Sequence, residues 1–88
     1  GEAFLSTIAA FALASAGVTL VGTDAWSIGA PHAEEGPHVE LLSAEIPILE
    51  GLDLSQVEEG TYTLLAFPLF LKGAEASPVR AVLLDELD

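Results

Sequence analysis

The chain has 88 residues, the size of one small domain. Two basic residues, Lys72 and Arg80, stand against fourteen acidic ones for a formal charge of −12, which argues against nucleic acid as a partner, because phosphate binding needs clustered Lys and Arg. An apolar content of 51% argues against a disordered acidic tail, and the absence of cysteine excludes a disulfide scaffold and a thiolate zinc site.

A domain of this size without a staple normally leans on a partner surface. The chain also opens at Gly1 on helix-like residues and contains no methionine. The expectation is a piece of a longer protein, or a chain docked tightly on a neighbour.

In chain order, Ala3 to Thr23 carries no charged residue and must be weighed as a membrane span or a signal segment. It has no basic flank, and Glu2 sits where a positive n-region would be. Gly17 followed by Val18-Thr19-Leu20-Val21 reads as a helix stop and then a β-branched strand. The spacing therefore predicts a helix over 3–16, buried on more than one side, and a strand over 18–22, with no membrane partner and a cytoplasmic location. The glycines and prolines between 22 and 37 predict a loop. Pro37 suits the first position of a short helix running to about Ala44, with Leu41 and Leu42 as its buried contacts.

Ile46-Pro47-Ile48-Leu49-Glu50 reads as a short strand with Pro47 at its start or on an edge. Asp53 and Gln56 have the spacing of a capping box, which predicts one helical turn over 54–57, followed by a turn at Glu58-Glu59-Gly60. Tyr62 to Leu71 is the strongest strand, Lys72 to Pro78 a polar loop, and Val79 to Leu84 a closing strand apolar on both faces apart from Arg80. Strands of that kind are covered on both sides, which implies a layered α/β arrangement.

Few side chains could carry chemistry. No Gly-x-Ser-x-Gly elbow and no phosphate-cradling glycine loop occurs. Histidine with carboxylate remains, a donor set that suits zinc first and manganese next. His38 begins the short helix and Glu50 ends the strand twelve residues later. A helix that turns back into a strand can return the carboxylate toward the imidazole, although both residues could equally be solvated at element ends. His32, beside Pro31, reads as a solvated loop residue. Asp24 either orients a ligand or closes its loop through an Asx turn, and Ser27 shares that loop. Trp26 either walls a substrate pocket or packs in the core. Arg80, if buried, needs an ion-pair partner such as Asp24 or Glu50. The acidic excess fits a protein kept soluble in high salt, or an uneven share of a larger surface.

Taken together, Val21-Gly22-Thr23-Asp24-Ala25-Trp26-Ser27, His38, Ile46-Pro47-Ile48-Leu49-Glu50-Gly51-Leu52 and the tail from Leu64 to Val82 resemble the putative cyclase family, which includes kynurenine formamidase and isatin hydrolase. The resemblance runs over essentially all 88 residues in family order. It implies a swivelling β/β/α fold, of which this chain is the C-terminal portion with a mixed sheet and flanking helices in a single partial domain. It further implies a hydrolase that opens amides, aryl formamides or lactams with metal-activated water.

In that family a late histidine and a glutamate twelve residues beyond it complete a divalent-metal site, and these match His38 and Glu50. Asp24, Trp26, Ser27 and Arg80 are the matching candidates for contacts behind the metal or in a substrate pocket. The family's upstream His-x-x-x-His-x-Asp motif and its acid/base histidine are absent here, so no catalytic residue is assigned to this chain. The implied partners are the missing N-terminal half or a partner chain, further copies in a homo-oligomer, and a small-molecule amide substrate. Two ligands hold a catalytic zinc poorly, so the chain alone is expected to be inactive. The competing reading is a non-catalytic acidic α/β interaction module, or a family descendant that has lost its catalytic half.

Overall fold

A computed structural model describes residues 3–68 and 76–85. The chain divides into two compact units, Gly1–Gln56 and Val57–Asp88. The first contains helix α1 (Thr7–Ser15), strand β1 (Val21–Gly22), helix α2 (Glu35–Ser43) and strand β2 (Ile48–Leu49). The second contains strands β3 (Tyr62–Pro68) and β4 (Val79–Asp85).

Helix α1 starts at Thr7, four residues later than its composition predicts. The Ser6 hydroxyl accepts from the Ala9 N–H as an N-cap, and the Leu5 N–H donates to the Ile28 carbonyl, so the chain before Ser6 is tied to a loop instead. The helix ends as Gly17 predicts. Gly17 takes φ +85°, its N–H donates to the Ala14 carbonyl, and the Val18 N–H reaches back to Leu13 in a Schellman motif. That motif takes up Val18, and β1 shrinks to Val21–Gly22. The expected burial on several sides is also corrected. Ala10 is the buried residue of α1, while Ile8 is 82% exposed and Phe11 is exposed beside it.

Helix α2 starts two residues before Pro37, which therefore occupies the third helical position. Its missing N–H costs nothing there, because the first four N–H groups of a helix have no intrahelical partner. The helix closes with a second Schellman motif, in which Glu45 holds the left-handed position at φ +61° that glycine normally fills. The Ile46 N–H donates to Leu41 and the Glu45 N–H to Leu42. Leu41 and Ile46, brought together by this cap, form the core with Ala10 and Ile28, and Leu5, Ala14, Val21 and Ile48 pack around it. Leu42, expected inside, is exposed, because the turn that buries Leu41 points its neighbour outward.

Strands β1 and β2 pair in parallel, Val21 with Ile48 and Gly22 with Leu49. Pro47 precedes β2 and uses only its carbonyl, which accepts from the Val21 N–H at 3.1 Å. The helical turn expected near residue 54 does not form. The Asp53 carboxylate accepts from the N–H and hydroxyl of Ser55, two residues on, so the capping-box residue closes an Asx turn instead.

In the second unit, β3 and β4 pair antiparallel from Tyr62–Asp85 to Pro68–Val79. Residues 69–71 of the predicted strand and 72–75 of the predicted loop lie outside the described residues. Leu64, Leu65, Phe67 and Leu84 are exposed, so this ladder lacks the two-sided cover expected from its apolar sequence. Parallel and antiparallel pairs both occur, but in two separate two-stranded sheets among the described residues rather than in one mixed sheet.

Candidate metal centre

His38 lies on the first turns of α2, and Glu50 directly follows β2. From His38 to Ala44 the helix descends about 9 Å at ~1.5 Å per residue, and from Ile46 to Glu50 the extended chain climbs back about 13 Å at ~3.3 Å per residue. The reversal brings the carboxylate level with the imidazole. His38 Nε2 stands 2.9 Å from Glu50 Oε2, with the two side chains 28% and 30% exposed.

Main-chain atoms fix both groups. His38 Nδ1 lies 2.7 Å from the Glu34 carbonyl one helical turn earlier. A carbonyl only accepts, so Nδ1 carries a proton and Nε2 presents its lone pair to Glu50 when the ring is neutral. Glu50 Oε2 accepts from the Ile28 N–H at 2.7 Å. The backbone on either side of Glu50 is locked to the 23–28 loop, with Thr23 N–H donating to the Leu49 carbonyl and Gly51 N–H donating to the Ala25 carbonyl at 2.8 Å.

Two acceptors facing each other at 2.9 Å need a cation between them, either a proton or a metal ion. In the metal-free protein the proton takes that place. The His38 pKa is raised, chiefly by the hydrogen bond to the Glu34 carbonyl; desolvation opposes the rise, and the hydrogen bond and charge of Glu50 and the charge of Glu34 add to it. A raised folded-state pKa contributes stability that is fully present below the unfolded value of about 6.5 and lost as pH rises through the folded value. Urea denaturation of the metal-free chain should therefore show stability falling as pH rises through and above neutrality, and His38→Gln should flatten that slope.

The donor set fits a divalent cation. Two ligand atoms at ~2.1 Å from one ion stand about 3.0 Å apart at adjacent octahedral positions and about 3.4 Å apart in a tetrahedral site. At 2.9 Å the pair is close to the first spacing and about 0.5 Å short of the second, which a small side-chain adjustment would supply. The imidazole N–H held by a carbonyl is the usual outer support of a metal-bound histidine. Among the described residues, no group of three or more potential ligands converges.

The remaining candidates are distributed differently. Asp24 is exposed and its carboxylate makes no hydrogen bond among the described residues. Thr23 Oγ1, not Asp24, closes that turn by accepting from the Ala25 N–H. Ser27 Oγ accepts from the Gly29 N–H. Trp26 is 89% exposed, which overturns its reading as core. Arg80 is exposed on β4 opposite Phe67, so the burial that would have demanded an ion pair is absent; His38–Glu50 is the one ion pair among the described residues. His32 is exposed at φ +66°. The groups that sequence reasoning missed are the Glu34 carbonyl and the Ile28 N–H. Main-chain atoms carry no residue signature, and the only available hint was the four-residue spacing of Glu34 and His38.

This small α/β arrangement matches solved hydrolases. A structure described as a potential metal-dependent hydrolase with cyclase activity superposes with a TM-score of 0.87 at 39% identity, over 97% of this chain and 42% of that one. A predicted metal-dependent hydrolase from Bacillus stearothermophilus superposes with a TM-score of 0.83 at 40% identity, over 91% and 39%. The chain is thus a homologue of the cyclase-like metal-dependent hydrolases. Among curated proteins it is homologous to kynurenine formamidases, 51% identical over 78 residues to that of Salinibacter ruber and 49% over 72 residues to that of Bordetella avium. Those alignments take in 88% and 81% of this chain but 37% and 34% of the relatives, so it spans about a third of their length. No family model matches the chain. No helix among the described residues is long and apolar enough to cross a membrane.

Proposed function

We propose that this chain supplies one side of the active site of a metal-dependent amidohydrolase, with His38 Nε2 and the Glu50 carboxylate as two ligands of a divalent cation, zinc first and manganese next. The reading assigns the chain to the C-terminal portion of a swivelling β/β/α fold. It acts on an amide, aryl formamide or lactam once an upstream half, carrying the His-x-x-x-His-x-Asp ligands and an acid/base histidine, completes the site.

The observation that carries this is the 2.9 Å approach of two acceptor atoms whose outer hydrogen bonds are already satisfied by main chain. The homology to metal-dependent hydrolases and kynurenine formamidases supports it. When bound, the cation supplies Lewis acidity and lowers the pKa of water. The chain's own contribution is orientation: the Glu34 carbonyl selects the His38 tautomer, and the Ile28 N–H holds one oxygen of Glu50. Exposed Ile8 and Phe11 on α1 and Leu42 on α2 support completion by further protein, either the upstream half or copies in a homo-oligomer.

Zinc titration by calorimetry tests the assignment. Two ligands should give weak 1:1 binding that a chelator removes, no formamide hydrolysis by the chain alone, and at least tenfold weaker zinc binding in His38→Ala and in Glu50→Gln. Equal zinc affinity in both variants would remove the site. Chelator-resistant binding, or hydrolysis by the 88-residue chain, would show that no upstream half is needed.

A further inference from the structure

The two ligands are supported by main chain, and one side chain shapes the main chain that supports Glu50. The loop between β1 and α2 offers two consecutive amides. The first, the Ile28 N–H, donates to Glu50 Oε2 at 2.7 Å. The second, the Gly29 N–H, donates to Ser27 Oγ at 3.3 Å. Gly29 is buried and Ser27 half-buried, so solvent is not at hand to replace that hydroxyl.

Ser27 thus closes an ST turn, in which a side-chain oxygen stands in for a backbone carbonyl and fixes the path of the chain two residues on. Ile28 lies at the centre of this turn. The peptide that follows it is pinned at both ends: the Ile28 carbonyl accepts from the Leu5 N–H at 2.8 Å, and the Gly29 N–H is taken by Ser27. The Ile28 side chain is held in the core with Ala10, Leu41 and Ile46. With these groups fixed, the Ile28 N–H has one direction left, toward the carboxylate. Ser27 itself makes no hydrogen bond to His38 or Glu50 among the described residues.

We infer that Ser27 is a positioning residue, whose hydroxyl holds the Gly29 N–H and thereby aims the Ile28 N–H at the Glu50 carboxylate. The inference deepens the hydrolase reading and rests on it for the cation, but the hydrogen bonds it concerns are present without metal. Removing the acceptor strands a buried N–H, a cost that a rotation of the 28–29 peptide relieves. That rotation carries the Ile28 N–H off Glu50. His38 lies outside this chain of effects, because the Glu34 carbonyl that selects its tautomer belongs to the start of α2.

Four variants of the 88-residue chain test this, by NMR without metal and by zinc calorimetry. The Ile28 amide proton, bonded to a carboxylate at 2.7 Å, should resonate far downfield, and Glu50→Gln should move it upfield. Ser27→Ala should move it upfield too and weaken zinc binding about tenfold, the lower end of the range for outer supports of metal ligands. Ser27→Thr and Ser27→Val form the decisive pair, since they share a branched shape and differ by the hydroxyl. Threonine should restore the resonance and the affinity, and valine should lose both. In every Ser27 variant the imidazole ¹⁵N shifts should keep His38 in its single Nδ1–H tautomer, which a general collapse of the loop would not allow.

An Ile28 proton that stays downfield in Ser27→Ala, or equal behaviour of the threonine and valine variants, would overturn the assignment. So would an Ile28 proton indifferent to Glu50→Gln, or mixed His38 tautomers in Ser27→Ala. The metal reading fails separately: zinc binding insensitive to His38→Ala and Glu50→Gln removes the cation, while the Ile28 resonance still reports whether Ser27 aims that amide at Glu50.

Discussion

Leu41→Ala should destabilise the first unit by about 2–5 kcal/mol, the range for emptying a buried leucine site. The core here is small. Of Ala10, Ile28, Leu41 and Ile46, Leu41 is the largest fully buried side chain, and it also anchors the α2 cap through its carbonyl. Such a loss is a large fraction of the stability of a domain this size, which commonly totals only ~5–15 kcal/mol. Far-UV circular dichroism in urea should show the α2 helix melting early; tryptophan emission would report little, because Trp26 is already exposed in the folded chain. Leu42→Ala is the matched control. Its side chain is exposed, and its cost should stay within about 0.5 kcal/mol. A cost for Leu42→Ala equal to that of Leu41→Ala would mean the helix is rotated relative to the core described here.

The contrast between these leucines shows where sequence reading ends. Composition alone marks both as core candidates, and which of the two faces inward depends on where the helix begins. Pro37 reads naturally as a first helical residue, but the helix starts two residues earlier, with the Glu34 carbonyl before it accepting from His38 Nδ1–H. Glycine-coded features were legible. Gly17 announces the end of α1 and occupies the left-handed position required of it. The matching cap of α2 was hidden, because Glu45 fills that position at a conformational cost that the burial of Ile46 and Leu41 offsets.

The site followed the same division. The twelve-residue interval between His38 and Glu50 is legible as a helix returning into a strand, since the two segments run in opposite directions over comparable lengths. Their support comes from the Ile28 N–H and the Glu34 carbonyl, main-chain groups that almost every residue type possesses and none advertises. Side chains singled out for polarity fared worse. Asp24 points to solvent while the neighbouring threonine closes the turn, and Asp53 caps nothing because Ser55 captures its carboxylate first. At Asp53 a hydrogen bond two residues away won over the longer one of a capping box, and at Asp24 the Thr23 hydroxyl took the turn N–H instead of the carboxylate.

Gly29→Ala should disturb the fold and the metal pair together. A Cβ at this position would stand 2.7 Å from Glu34 Cα, 2.8 Å from Pro37 Cγ and 2.9 Å from the Ala33 carbonyl oxygen. Two of these obstacles are backbone and the third is a proline ring, so no flexible side-chain tip can swing aside; the chain around Glu34 must retreat. Overpacking of this kind typically costs about 1–3 kcal/mol. The displaced segment carries the carbonyl that holds His38 Nδ1–H, and Ile28, whose N–H holds Glu50, adjoins the substituted residue. Both main-chain supports of the pair should therefore loosen at once. Imidazole ¹⁵N shifts of His38 should move toward mixed tautomers, and zinc affinity should fall about tenfold or more, as when outer supports of metal ligands are removed. Gly51→Ala separates this effect from general strain. Gly51 has φ +69° but only ordinary contacts with Trp26, so its cost is conformational, about 1 kcal/mol. Gly51→Ala should leave the His38 tautomer alone. A Gly29→Ala chain of unaltered stability, with His38 still in a single tautomer, would mean that the 28–34 backbone is not what sets the geometry of the pair.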